Sequence, residues 1–356
     1  MSGGYVPLIF ILLSCALAST LVPAILYYAT RQGLYDKIDA RKLHNGNIPR
    51  LGGVGIAFAF LITIVVMRLF QAPLADEFSE LYKIWPILIS GMVMFSIGLI
   101  DDLRDLRAMF KFIIEALVTI LLMLWGFRFK VIMVPWGDGS LNLGLLSYPV
   151  TFLWIVGITN AMNLIDGLDG LAGGIAFIAS LTFGTFFWSQ GSIMSAEICF
   201  AVSGSVAGFL IFNLPPAKIF MGDSGSLFLG FCLAILPLLG QGETKAEIGI
   251  IAATTTLAIP IFDTFAAIFR RTRAHVSFFT PDKGHLHHIL LGKVKSTGRA
   301  LLIIYGINCF LALAALSTLF MSNGWSLLVK GCALIIIALF FGYINRGALR
   351  VGSLRK

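Results

Sequence analysis

The feature that most constrains this chain is a series of apolar segments, each close to 20 residues long and separated by short polar stretches. A helix needs about 20 predominantly apolar residues to cross the hydrocarbon core of a bilayer. Hydrophobic residues make up 58% of the 356 positions and charged residues only 12%, whereas soluble domains carry about 25% charged residues. The sequence therefore predicts an all-α integral membrane protein, with residues 1–356 forming a single polytopic domain.

Eleven candidate spans can be placed on these segments. Between the fourth and the fifth, the stretch RFKVIMVPWGDGSLNLGLLS alternates in polarity around Gly137-Asp138-Gly139 and predicts a small extracytoplasmic hairpin. The predicted spans lie at about residues 5–30, 51–70, 84–101, 108–127, 147–163, 171–189, 194–213, 218–240, 246–269, 300–321 and 325–345.

The distribution of charge predicts the orientation of these spans. Lys and Arg near span ends favour the cytoplasm, and with the N-terminus outside, 20 of the 26 basic residues fall on the inner side. All five histidines and ten aspartates fall there as well. The topology predicted is N-out and C-in, with a site on the cytoplasmic face. A transporter would be expected to carry carboxylates at mid-membrane instead.

Two short stretches place carboxylates at the ends of spans. Asp101 and Asp102 end an otherwise apolar segment, where adjacent charges are costly unless a cation offsets them; a solvated helix end would look the same. Asp223 stands in Gly-Asp-Ser-Gly, where the backbone can turn tightly. A carboxylate there is a candidate Mg²⁺ ligand, or belongs to an ordinary turn between helices.

The stretch NAMNLIDGLDGLAGG places Asn160, Asn163, Asp166 and Asp169 at steps of three residues. Each step rotates by about −60° on an α-helix, so a straight helix cannot aim all four side chains at one point. Four glycines follow Asp166 within eight residues. The sequence predicts that the helix ends near Asp166 and that the next begins near Gly170.

Two basic loops complete the polar segments. RRTRAHVSFFTPDKGHLHHILL holds three histidines within four positions, flanked by four basic residues, a composition that favours phosphate contact. A zinc site is less favoured because no Cys accompanies them and the spacing is not one helical turn. DARKLHNGNIPRLGG could bind phosphate or anionic headgroups by charge and backbone N–H groups. Either loop could also be basic only for topology.

Taken together and in this order, these segments resemble the polyprenyl-phosphate N-acetylhexosamine-1-phosphate transferases, from about Asp36 to Leu291. HLHH and PRLGG resemble the branch that uses UDP-N-acetylglucosamine; the muramyl-pentapeptide branch typically has a His triplet and a Thr-Pro-Thr-Met-Gly-Gly loop. The resemblance implies transfer of N-acetylglucosamine 1-phosphate from UDP-N-acetylglucosamine to undecaprenyl phosphate, with release of UMP and a need for Mg²⁺, for which Mn²⁺ could substitute. The alternatives are a phospho-N-acetylmuramoyl-pentapeptide transferase and a transporter of an anionic lipid or sugar phosphate.

The resemblance also implies roles for individual residues. It assigns catalysis to Asp101, Asp102, His285, His287 and His288. It assigns contact with the nucleotide sugar to Asn160, Asn163, Asp166, Gly167, Leu168, Asp169, Asn213 and Phe220. It assigns phosphate binding to Arg41, Lys42, His44, Arg50 and Arg273, and metal binding to Asp223 and Asp102. The expected partners are both substrates and membrane lipid, with no nucleic acid; a homodimer is expected by analogy with the family.

A general base is the usual suggestion for Asp101 or Asp102 in this family. A phosphomonoester has a second pKa near 6, so most of the lipid phosphate is already the dianion at neutral pH. We therefore rank metal binding and phosphate positioning above proton abstraction for this pair.

Overall fold

The computed structural model describes residues 6–35, 48–71, 78–133, 140–240, 248–276 and 284–351. Helices dominate these residues, because a helix satisfies its backbone hydrogen bonds internally, as an apolar environment requires. In chain order the helices are α1 (Val6–Gln32), α2 (Gly52–Gln71), α3 (Phe78–Arg104), α4 (Ala108–Leu124), α5 (Ser147–Ile165), α6 (Leu171–Ser189), α7 (Ile193–Asn213), α8 (Gly222–Ile235), α9 (Ile250–Thr256), α10 (Ala258–Arg273), α11 (Leu286–Val294), α12 (Thr297–Leu316) and α13 (Asn323–Val351).

Among the described residues, eight helices are long and apolar enough to cross a membrane. A ninth candidate is the pair α9 and α10, which is bent by 81°. The chain is thus an all-α, multi-pass membrane protein. Each of the eleven predicted spans contains a helix, but the count of eleven is not confirmed, because α4 has 17 residues and α8 only 14.

Prolines explain two departures from the predicted spans. Pro215 and Pro216 follow α7, and residues 214–221 form turns, so α8 begins four residues later than predicted. The predicted span at 246–269 is broken where α9 ends at Thr256. Pro260 lies four residues further on, where its ring removes a helical hydrogen bond and clashes with the preceding turn.

The predicted hairpin between α4 and α5 is confirmed in its strands. β1 (Val131–Met133) pairs antiparallel with β2 (Ser140–Asn142), with Val131 opposite Asn142. The turn at Gly137-Asp138-Gly139 lies outside the described residues.

Helix α8 forms the centre of the bundle, where all 14 of its residues are buried. It packs against α2, α3 and α5. Two glycines permit the close approach: a Cβ at Gly98 of α3 would overlap the backbone of Asp223, and a Cβ at Gly53 of α2 would overlap that of Gly225. The start of α8 is therefore fixed against the end of α3 and the start of α2, and this contact positions the site.

Candidate active site

Three carboxylates and two cations meet where α3, α4 and α8 come together with the residues before α2. Asp223 in the first turn of α8 binds Arg50 Nη2 through Oδ1 at 2.5 Å and Lys111 Nζ through Oδ2 at 2.7 Å. Lys111 also binds Asp101 Oδ2 at 2.8 Å. Arg50 Nε lies 3.4 Å from Asp102 Oδ1. We call these five side chains the carboxylate cluster; in it each cation contacts two carboxylates.

Asp102 caps the helix that carries Asp223. Its two oxygens accept hydrogen bonds from the backbone N–H groups of Asp223 at 2.7 Å and Ser224 at 2.9 Å. The first turn of a helix leaves such N–H groups unpaired, and a negative charge is favourable there. Gly222 has a φ of +75°, and a Cβ at this position would lie 2.5 Å from Asp102 Oδ2. Asp102 therefore fixes the start of α8 and, with it, the position of the Asp223 side chain.

Arg50 is held in place by backbone pairing between the residues before α2 and those before α8. The Gly52 N–H donates to the carbonyl of Phe220 at 2.8 Å, and the Phe220 N–H donates to the carbonyl of Pro49 at 2.8 Å. This ribbon brings Arg50, predicted to bind phosphate, beside Phe220, predicted to contact the nucleotide.

The loop between α5 and α6 confirms the predicted break. Helix α5 ends at Ile165 and α6 begins at Leu171 after Gly170, which has a φ of +77°. The Gly170 N–H donates to Asn213 Oδ1 at 2.9 Å, and Asp169 Oδ2 accepts a hydrogen bond from the Ala217 N–H at 3.0 Å. Both predicted residues thus hold the loop against the end of α7.

Asn160 and Asn163 lie in the last two turns of α5 and contact different helices. Asn163 Nδ2 donates to Ser226 Oγ of α8 at 2.8 Å. Asn160 Nδ2 donates to Glu115 Oε2 of α4 at 2.5 Å. The two amides therefore connect α5 with the helices that carry Asp223 and Lys111.

Asp166 follows the last residue of α5 and is partly buried. Its pKa is raised from 3.8 to about 7, chiefly by burial; the carboxylates of Asp223, Asp102 and Asp169 also raise it, and the Arg50 guanidinium lowers it. These influences place Asp166 in the electric field of the carboxylate cluster. Asp166 is therefore poised to change charge near neutral pH.

One of the predicted histidines contacts this loop, and another is held by Asp263. His285 Nδ1 is 2.8 Å from Asp263 Oδ2, and the same carboxylate accepts the Leu286 N–H at 2.8 Å, so Asp263 caps α11. The His287 ring contacts Gly167, where a Cβ would lie 2.5 Å from Nε2. His287 and His288 have ring centroids 4.3 Å apart.

His287 is buried and neutral. In the part of the chain that the structure describes, neither of its ring nitrogens has a hydrogen-bond partner. Burial lowers the pKa of His287 to about 3, and the neighbouring His288 lowers it as well. Its two nitrogens are one donor and one acceptor available to a ligand.

The remaining predicted residues are placed less closely. Leu168 is partly buried against the core. Arg273 is exposed in the last turn of α10, and the structure does not bring it to the carboxylate cluster. The predicted phosphate-binding residues Arg41, Lys42 and His44 lie outside the described residues.

Sequence reasoning missed four residues that contact the predicted ones. Lys111 was considered only as one of the basic residues on the inner side, and Glu115 lies within a predicted span and was given no role. Both stand one turn apart in the apolar stretch FKFIIEAL, and charges inside such a stretch are a signal of function. Ser226 and Asp263 carried no comparable signal.

The donor set of the carboxylate cluster suits Mg²⁺. Mg²⁺ is usually bound by one or two carboxylates, with water and phosphate oxygens completing its shell. No group of three or more His, Cys, Asp or Glu that could hold a metal is found among the described residues. Both oxygens of Asp102 accept backbone hydrogen bonds, and Asp101 accepts the Leu106 N–H through Oδ1 and Lys111 Nζ through Oδ2, so either carboxylate would have to exchange a present partner to join Asp223 as a metal ligand.

Comparison with known proteins identifies the family of this chain. The model of the family described as Glycosyl transferase family 4 matches residues 84–241, which include most of the carboxylate cluster. The chain is 35% identical to a probable undecaprenyl-phosphate N-acetylglucosaminyl 1-phosphate transferase of Bacillus subtilis, over 83% of this chain and 80% of the relative. It is 30% identical to the undecaprenyl-phosphate alpha-N-acetylglucosaminyl 1-phosphate transferase of Escherichia coli K12, over 92% and 88%. It is 33% identical to the decaprenyl-phosphate N-acetylglucosaminephosphotransferase of Mycolicibacterium smegmatis, over 83% and 78%.

The fold and the site together define a multi-pass membrane sugar-phosphate transferase. The chain belongs to the polyprenyl-phosphate N-acetylhexosamine-1-phosphate transferase family.

Proposed function

We propose that this protein transfers N-acetylglucosamine 1-phosphate from UDP-N-acetylglucosamine to undecaprenyl phosphate and releases UMP. The product is the first lipid-linked intermediate of a cell-envelope glycan. The observation that carries the proposal is the carboxylate cluster, in which Arg50 and Lys111 stand among three carboxylates, near the 166–169 loop that His287 contacts. The names of the relatives supply the substrates.

The reaction requires two anions to meet. An oxygen of the lipid phosphate attacks the phosphorus that bears the sugar; a P–O bond to the lipid forms, and the P–O bond to UMP breaks. Phosphoryl transfer asks the protein mainly for positioning and for charge stabilisation. Arg50 and Lys111 supply positive charge, and Asp102 holds Asp223 in the position where it contacts both.

We propose Mg²⁺ as the cofactor, with Mn²⁺ as a substitute, held by Asp223 with help from Asp102 or its neighbour Asp101. When bound, it neutralises the diphosphate and polarises the phosphorus under attack. The 166–169 loop and Asn213 would hold the nucleotide, and the neutral imidazole of His287 would offer hydrogen bonds to the diphosphate or the sugar.

The orientation follows from the same residues. The site is built from the ends of α3, α5 and α7 and the starts of α2, α4, α6 and α8, all of which would lie on one side of the membrane if every helix crosses it. The inner side of the charge-based topology holds 20 of the 26 basic residues. We therefore place eleven crossings with the N-terminus outside, the C-terminus inside and the site facing the cytoplasm, where the soluble donor is available. A homodimer remains an expectation from the family.

The test is a UMP-release assay on purified protein with undecaprenyl phosphate and Mg²⁺. We expect UMP release with UDP-N-acetylglucosamine, and its loss on removal of divalent cations or in Asp223→Asn. Release with the muramyl-pentapeptide donor alone would assign the related transferase reaction. Absence of UMP with either donor would overturn the proposal.

A further inference from the structure

Glu115 is a buried acid next to the carboxylate cluster that the mechanism above does not use. It lies in the middle of α4 and is 2% exposed. It stands one helical turn from Lys111, so both side chains occupy the same face of α4. Lys111 binds the carboxylates of Asp101 and Asp223, whereas Glu115 binds the amide of Asn160. Burying a carboxylate in an apolar span costs free energy, and such residues usually have a function.

The hydrogen bonds of Asn160 fix the orientation of its amide. One N–H of Nδ2 donates to Glu115 Oε2 at 2.5 Å and the other to the carbonyl of Val156 at 2.9 Å. The reverse orientation would put the amide oxygen against two acceptors, so it is excluded. Both donors of Asn160 are therefore occupied, and its Oδ1 is the free polar atom.

This oxygen is free to accept a hydrogen bond from a ligand. No described group donates a hydrogen bond to Asn160 Oδ1, and the side chain is only partly buried. Asn163, one turn nearer the loop, contacts Ser226, three residues after Asp223. Glu115 thus lies one turn behind Lys111 on α4, and Asn160 lies one turn behind Asn163 on α5.

We propose that Glu115 is a positioning residue that makes Asn160 a hydrogen-bond acceptor towards the bound substrates. The ligand group is an N–H or O–H donor. Two sources carry such a group: the hydroxyl and amide groups of the nucleotide sugar, and water bound to the divalent cation. The identity of the ligand rests on the proposed function, but the orientation of Asn160 does not.

The test is a double-mutant cycle between the two residues. Asn160→Asp places two carboxylates at hydrogen-bond distance, and we expect kcat/KM to fall at least tenfold. Adding Glu115→Gln to that variant supplies an amide donor to the carboxylate introduced at position 160. The hydrogen bond between the two positions then forms again with donor and acceptor exchanged, and the second carboxylate oxygen remains an acceptor for the ligand. We expect the double variant to recover about tenfold relative to Asn160→Asp.

The kinetic parameters separate the two sources. A raised KM for UDP-N-acetylglucosamine with an unchanged Mg²⁺ half-saturation in Glu115→Leu assigns the donor to the sugar. The opposite pattern assigns it to metal-bound water. Additive effects of the two substitutions, or Glu115→Leu with wild-type parameters, would overturn the proposal.

A matched control is available in another buried acid. Glu197 is 3% exposed in α7 and binds Arg68 at 2.5 Å. It lies 16 residues from Asn213 on one helix, or about 24 Å. We expect Glu197→Gln to lower thermal stability and to leave both parameters unchanged.

Thermal unfolding of the wild type, the two single variants and the double variant in detergent, without substrates, reads the coupling directly. Recovery of the melting temperature in the double variant supports the contact even if wild-type protein released no UMP. A failure of the proposed function would therefore not be mistaken for a failure of this inference.

Discussion

Asp102 Oδ1 accepts a hydrogen bond of 2.7 Å from the backbone N–H of Asp223, 121 positions further along the chain. One carboxylate of the site thereby sets the position of another. A residue in this role is expected to act on geometry, and its loss should not be repaired by a change in the protonation of the substrate.

We expect Asp102→Asn to lose at least about 10²-fold in turnover at every pH, because an amide keeps only one acceptor for two N–H groups and has no charge for Arg50. The loss of the cap should also destabilise the protein by about 1 kcal/mol. UMP release measured from pH 6 to 9, with thermal unfolding alongside, tests both effects. Recovery of most activity at high pH would show that Asp102 is a base instead.

We expect Lys111→Met to lose at least about 10²-fold in activity, because the carboxylates of Asp101 and Asp223 then face each other without the cation that both bind. Lys111→Arg should retain more. Lys330 provides the control, since it is also buried but donates to the Thr318 hydroxyl. If Lys330→Met reduced UMP release as strongly, the effect would come from burying a methionine rather than from the cluster.

The raised pKa of Asp166 predicts a pH-dependent stability in metal-free protein. Its folded pKa of about 7 exceeds the unfolded value of 3.8, so the folded state binds more protons between these values. The contribution of Asp166 to the stability of the folded state is complete at low pH and is lost as the pH rises through about 7. The melting temperature of Asp166→Asn minus that of the wild type should therefore be higher at pH 8 than at pH 5.5. An equal difference at both pH values would contradict the shifted pKa.

We expect Gly222→Ala to reduce stability by about 1–3 kcal/mol, because a φ of +75° is strained for alanine and the added methyl meets the Asp102 carboxylate. UMP release should fall with it. Gly306→Ala is the matched change, since a Cβ at Gly306 in α12 has open space. Similar losses in melting temperature for both variants would argue against the strain.

Much of the fold was predictable, because membrane helices follow from apolar length alone. The break between α5 and α6 was also predictable, since steps of three residues cannot keep four polar side chains on one face and the glycines show where the helix ends. The bend before α10 was missed, although Pro260 was a visible signal for it.

The site was harder to predict because its contacts join distant positions. Nothing local connects Arg50 with Asp223, or Asp263 with His285; only the family resemblance placed most of them in one site. Glu115 was overlooked although a charge inside an apolar stretch is a signal of function, and Lys111 was overlooked for another reason. A basic residue near the end of a span is already explained by the preference of Lys and Arg for the cytoplasmic side, so a second role is easily overlooked.

The complete burial of α8 has a consequence for the bilayer in which the protein works. Lipid-facing helices tilt or shift when the hydrocarbon thickness changes, but every residue of α8 is buried within the protein. The start of α8, which carries Asp223, is tied to α2 and α3 by close backbone contacts. The site is therefore insulated from hydrophobic mismatch, and acyl-chain length should alter access of the lipid substrate more than the chemical step.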